Sequence, residues 1–104
     1  MSPTITGMLS FIALAALSNA AVAADAANGG SLAKRWCAAC HVVATDQQRG
    51  STQAPPFSAV ASTPGFDSGK LALFLLEPHP KMPNMNLSRN EANDLAAYIA
   101  IQGK

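Results

Sequence analysis

The chain has 104 residues, with seven basic and six acidic side chains and a net charge of +1. That length holds one small domain at most, and the near-neutral balance argues against a nucleic-acid binder. Two cysteines allow a single disulfide, which excludes a disulfide-dense scaffold.

Residues 1–24 contain no Asp, Glu, Lys, Arg or His, and every charged side chain lies from Asp25 onward. The apolar run at 11–17 is followed by Ala21-Val22-Ala23, a small-residue cleavage pattern. Residues 1–23 therefore read as a secretory signal peptide cut between Ala23 and Ala24, although the n-region lacks Lys and Arg. The rival is an uncleaved membrane anchor. A seven-residue run is too short for a span of about 20, and the broader stretch 8–24 is broken by Ser10, Ser18 and Asn19. Cleavage is the favoured reading, with no membrane span after it. Residues 24–104 then form one domain. A domain that small buries little apolar surface and needs a staple. A Cys37–Cys40 bond would close only a tiny ring, so something else must complete the core.

A first helix is expected from about residue 28 to residue 39, with Gly29 and Gly30 near its start. It leads into Trp36-Cys37-Ala38-Ala39-Cys40-His41, which holds both cysteines and one of the two histidines. A thioredoxin-like dithiol needs a strand feeding the helix that starts at the first cysteine, and the residues before Cys37 look helical. Structural zinc needs four ligands, and the chain offers Cys37, Cys40, His41 and only His79 besides. A chance cluster of buried thiols and a surface histidine is the bland alternative. The reading favoured over these is attachment of one c-type haem, whose motif is C-x-x-C-H. Each thiol adds to a haem vinyl group, one helical turn spans the two attachment carbons, and His41 is carried under the iron. The tethered disc would complete the core.

A middle helix is expected after Asp67, a good N-cap. Residues 70–76 are apolar nearly all round, as suits a helix wedged against haem, and Pro78 stops it. The loop that follows carries Pro78, Pro80 and Pro83, which favour a stiff, extended chain. It presents three candidates for the second iron position: His79, Met82 and Met85. Ser88-Arg89-Asn90-Glu91 is a capping box, with Leu87 and Ala92 as a hydrophobic staple. Ala92, Leu95, Ala96 and Ile99 recur at helical spacing, and Gly103 can end the helix. No segment reads as a strand pair, so the fold class is all-α.

The CAACH motif is followed about forty residues later by Met82-Pro83 and then Leu87-Ser88-x-x-Glu91-x-x-Asp94-Leu95-x-x-Tyr98-Ile99. This pattern resembles the small bacterial class I c-type cytochromes over nearly all of residues 28–102. The resemblance implies a small cytochrome c fold, three to four helices with long loops around one covalent haem. It implies Met82 as the axial ligand opposite His41, with Met85 packing nearby and His79 at the loop surface or the propionate side. Ala54-Pro55-Pro56-Phe57 resembles the loop whose proline carbonyl accepts the Nδ1–H of the haem histidine; the alignment points to Pro55, with Pro56 as the alternative. Such a bond would fix the His41 tautomer and raise its basicity. Gly29 and Ala33 stand where the family lets its first helix cross the last one, here against Leu95 and Tyr98. Ala33 departs from the bulky aromatic frequent at its position, which weakens that packing unless Leu32 or Trp36 compensates. Trp36 itself is expected near the haem or the last helix, or as a partly exposed ring at a docking surface.

With His41 and Met82 both on the iron, no position remains for substrate or oxygen. A thioether ligand favours ferrous iron and raises the potential relative to bis-histidine ligation. The implied function is a periplasmic one-electron carrier and not an enzyme, a monomer that meets redox-protein donors and acceptors. Lys34, Arg35, Lys70 and Lys81 are candidates for a basic docking rim, against the alternative of scattered solvated charges. Two other classes stay open: a haem subunit of a dehydrogenase or reductase complex, and a haem sensor or peroxidase if Met82 is labile.

Overall fold

In a computed structural model of the chain, residues 23–51, 53–77 and 81–104 are described. The signal-peptide reading falls on residues that lie almost wholly outside these, as do Pro78, His79 and Pro80. The described residues form four helices: α1 (Ala26–Trp36), α2 (Phe57–Ala61), α3 (Ser68–Leu76) and α4 (Arg89–Ile101). None is long and apolar enough to cross a membrane, and no strand occurs among the described residues, in line with an all-α fold.

α1 starts earlier and stops earlier than the sequence suggests. Its N-cap is Asp25, whose carboxylate accepts the Asn28 N–H at 3.0 Å. The helix ends at Trp36, and Lys34 and Arg35 in its last turn sit favourably at the negative end of its dipole. α4 is the hub, packing against all three other helices and most extensively against α1. Gly29 and Gly30 are both buried at this crossing. A side chain on Gly30 would meet the Tyr98 ring at 3.0 Å. Tyr98 thus meets both glycines, and the backbone of Asp94 lies nearest to Gly29. Asp94 also ties down the start of α1 through its carboxylate. It accepts the Asp25 N–H at 2.7 Å and the Asn28 side-chain amide at 2.9 Å. Ala33 is fully buried, and Leu32 packs against the core beside it. Trp36 does not fill that role, because its ring is 39% exposed.

α2 is an element the sequence reading did not foresee. Pro56 occupies its N-cap position in an extended conformation, and Phe57, its first residue, is buried. α3 begins where expected, with the Asp67 carboxylate accepting the Lys70 N–H at 2.9 Å. Its C-cap, Glu77, is extended (φ −97°, ψ 131°), as the residue before a proline prefers. Ala72 and Leu75 turn into the core, while Leu73 and Phe74 on the same helix stay largely exposed.

The capping box at α4 is present in both directions: Glu91 N–H donates to Ser88 Oγ at 3.1 Å, and Ser88 N–H donates to Glu91 Oε1 at 3.0 Å. Ala92, Leu95, Ala96 and Ile99 are all buried, so the helical repeat is the core face. Gly103 follows the C-cap Gln102 but does not adopt a positive φ. Its glycine is needed for another reason: a Cβ there would stand 2.9 Å from Ala61 Cβ of α2.

Candidate functional site

The CAACH segment begins where α1 runs out of helix. Cys37 is the C-cap, and its N–H still bonds the Ala33 carbonyl at 2.9 Å. The next turn is closed by Cys40 N–H and His41 N–H, both donating to the Cys37 carbonyl at 3.1 and 2.8 Å. This turn carries Cys37, Cys40 and His41 to the wall of one cleft of about 410 Å³. That volume is within the range of small-molecule and cofactor pockets. Trp36 lines its edge beside the turn; Leu71, Phe74 and Leu75 come from α3, and Leu95 and Ile99 from α4. Met82, Pro83 and Met85 come from the loop before α4, and Pro55 and Phe57 from the start of α2. Cys37, Cys40, His41, Pro55, Met82 and Met85, the described residues that the sequence reading placed at the haem, therefore border the same space. His79 lies outside the described residues.

His41 is half-buried, and its Nδ1 lies 2.6 Å from the Pro55 carbonyl. A carbonyl can only accept, so Nδ1 carries the proton. The neutral ring then keeps a lone pair on Nε2. Phe57 stacks at an angle on the His41 ring, with centroids 5.3 Å apart, and meets Tyr98 edge-on at 6.4 Å. The ring is thus held by one hydrogen bond and one aromatic wall. The backbone around it is equally tied. The Cys40 carbonyl accepts Ser51 N–H at 2.7 Å and the Val42 carbonyl accepts Phe57 N–H at 2.9 Å. The Val43 carbonyl accepts the Tyr98 hydroxyl at 2.6 Å.

The thiols do not suit dithiol redox chemistry. A reactive C-x-x-C places its first cysteine at a helix N-terminus, where the dipole favours thiolate. Cys37 is at the C-terminal end of α1, and burial pushes its thiol up to about 11. Among the described residues no group of three His, Cys, Asp or Glu side chains converges as a structural zinc site requires. Two thiols one turn apart, a histidine presenting Nε2 and an apolar cleft with two methionines do fit a tethered haem.

Met82 and Met85 border the cleft on unequal terms. Met85 is buried at 9% exposure and belongs to the core, while Met82 is half-buried and packs against it. Lys81, at the same loop, has a positive φ of 75° and lines the cleft. Of the other basic residues, Arg35 stacks its guanidinium over the Trp36 ring at 5.0 Å, so these two form one composite edge. Lys34 faces a separate open groove with Asp46, Gln48 and Arg49. Lys34 and Lys70 thus do not line the cleft.

Sequence reasoning missed the residues that brace the turn, Gln47 and Ser51 among them, because loop side chains carry no periodic signal. The chain is similar to cytochrome c-552 of Bradyrhizobium diazoefficiens, with 56% identity over 95 residues that cover 91% of each chain. No family model matches the chain, and no solved structure matches it.

Proposed function

The chain belongs to the small c-type cytochromes, and on that premise we propose that it is a periplasmic one-electron carrier shuttling electrons between larger redox proteins. The observation that carries this reading is the His41 Nδ1–Pro55 contact at 2.6 Å, on the residue that directly follows Cys40, with Cys37 one turn earlier and both cysteines bordering the same apolar cleft. That bond leaves Nε2 as the ring's lone-pair nitrogen and makes it a better donor to a metal.

A bound c-type haem supplies iron that takes up and releases one electron. The chain's own residues do the rest. Cys37 and Cys40 would anchor the group as thioethers, and His41 would hold its iron through Nε2. Met82, the half-buried thioether on a loop that the buried Met85 pins to the core, would supply the second ligand. Leu75, Leu95 and Ile99 keep water from the inner end of the cleft. Trp36, with Arg35 over it, and Lys81 stand at its edge, where a partner's surface approaches. With His41 and Met82 both on the iron, no iron position would remain for substrate or oxygen. Residues 1–23 direct export, and residues 24–104 act as a monomer.

The test is the intact mass of the protein after periplasmic expression with haem maturation, followed by its ferric spectrum. The expected mass exceeds that of residues 24–104 by one haem, and the spectrum is low-spin with the weak red band of His/Met ligation. A mass without haem overturns the reading. A high-spin ferric spectrum would replace the carrier by an open-site sensor or peroxidase.

A further inference from the structure

Gln47 lies six residues beyond His41, and nothing in the CAACH motif marks it. Its Oε1 accepts the Val43 N–H at 2.9 Å. Its Nε2 lies 2.6 Å from the Arg49 carbonyl, 2.7 Å from that of His41 and 3.0 Å from that of Ala38. Two amide protons serve three oxygens, so one proton is shared. The opposite orientation of the amide would set an oxygen against three oxygens and an NH2 against an N–H. The network therefore allows one orientation only.

We infer that Gln47 is the positioning residue of the His41 ligand, its carboxamide locking the backbone on both sides of the Cys40–His41 pair. This rests on His41 ligating the haem iron, as proposed above. The Pro55 carbonyl fixes the rotation of the His41 ring, but a single contact at Nδ1 leaves the position of the Cα open. The neighbouring carbonyls of Cys40 and Val42 are held by backbone N–H groups of Ser51 and Phe57, which another sequence could also supply. The carbonyls of His41 and of Ala38, between the two cysteines, are instead met by a side chain. The identity of residue 47 thus matters to where the ligand stands. Only a primary amide offers an acceptor to Val43 and donors to the carbonyls at once.

The experiment compares holoprotein carrying Gln47→Met and Gln47→Glu with the unaltered chain. Methionine keeps the length and apolar volume of the side chain. Glutamate keeps its shape and the acceptor for Val43, but turns an oxygen toward three carbonyls. Solvent exchange of the His41 Nδ1 proton and the Val43 amide is measured by NMR, with the amides of α4 as an internal reference for global opening. The hyperfine-shifted ring protons of His41 in the ferric form report the orientation of the ring. Gln47→Met is expected to speed exchange at His41 and Val43, and Gln47→Glu at His41, by about tenfold over any change in α4, the effect of losing about one hydrogen bond. At His41 Gln47→Glu is expected to equal or exceed Gln47→Met, and the ring-proton shifts move in both. A Gln47→Glu protein indistinguishable from the unaltered chain overturns the inference, as does acceleration that α4 shares in full. If the unaltered chain carries haem but the variants leave His41 unmoved, this inference alone falls. If it carries none, the proposed function falls and takes this inference with it.

Discussion

Gly29 rests directly on the backbone of Asp94, so that a Cβ placed on it would overlap the Asp94 carbonyl and stand 2.8 Å from Tyr98 Cβ. Backbone cannot yield as a flexible side chain can, so Gly29→Ala must push α1 away from α4. Alanine would gain about 1 kcal/mol as a better helix former than glycine. Overpacking costs about 3 kcal/mol or more, which outweighs that gain. A net destabilisation of about 2 kcal/mol or more is expected in chemical denaturation. An unchanged or raised midpoint would show that the crossing is not that close.

Tyr98→Phe removes the hydroxyl that reaches the Val43 carbonyl at 2.6 Å, across 55 residues of chain. The expected loss is about 1.5 kcal/mol, because the carbonyl is left without that donor. The loss should depend on pH. Burial first, and the negative charge of Asp46 second, raise the Tyr98 phenol above its ordinary 10.0. The folded state then holds this proton more tightly than the unfolded state, so the stabilisation is complete below pH 10. It drains away as pH climbs toward the higher folded value. Denaturation of the two proteins at about pH 8 and about pH 11 should therefore show a gap that narrows at the alkaline end. A constant gap would count against it.

Ser88→Ala removes one half of the capping box and should cost about 1 kcal/mol, with Ser88→Asp restoring most of it. Because α4 packs against every other helix, the loss is expected in the global unfolding midpoint. Fraying of the α4 amides alone, without a shift of that midpoint, would contradict this.

Met82→Ala should abolish the weak red band of the ferric holoprotein while leaving haem attached through Cys37 and Cys40. Met85→Ala should keep the band and cost about 2–3 kcal/mol of stability, since Met85 is buried in the core. If Met85→Ala removes the band and Met82→Ala spares it, the two methionines exchange roles. Absorption spectra and denaturation of both variants decide it.

Several features were legible because they are local. The Asp67 cap, the Ser88–Glu91 box and the buried repeat of α4 each depend on residues within one or two turns, and all are found in the structure. The end of α1 was misjudged by three residues, since the helix-like residues of CAACH continue as a turn and not as regular helix. α2 was missed because five residues after two prolines carry no periodic signal. Gly103 was read as a helix stop, whereas its glycine is required by the approach of Ala61.

By itself, then, the sequence pointed to the chemistry proposed for the motif. Two thiols and a histidine at C-x-x-C-H spacing have few uses, and covalent spacing along one turn is a local property. It also determined the all-helical class, through caps and 3.6-residue periodicity. Only the tertiary structure decided which proline carbonyl, that of Pro55, meets His41 Nδ1. Only the tertiary structure also decided that Asp94 anchors α1, that Tyr98 holds Val43, and that Gln47 bonds the backbone of His41. Those partners are chosen by how helices and loops pack against one another, and the bonds of Pro55, Tyr98 and Asp94, across 14 to 69 residues, leave no mark on their neighbours in the chain.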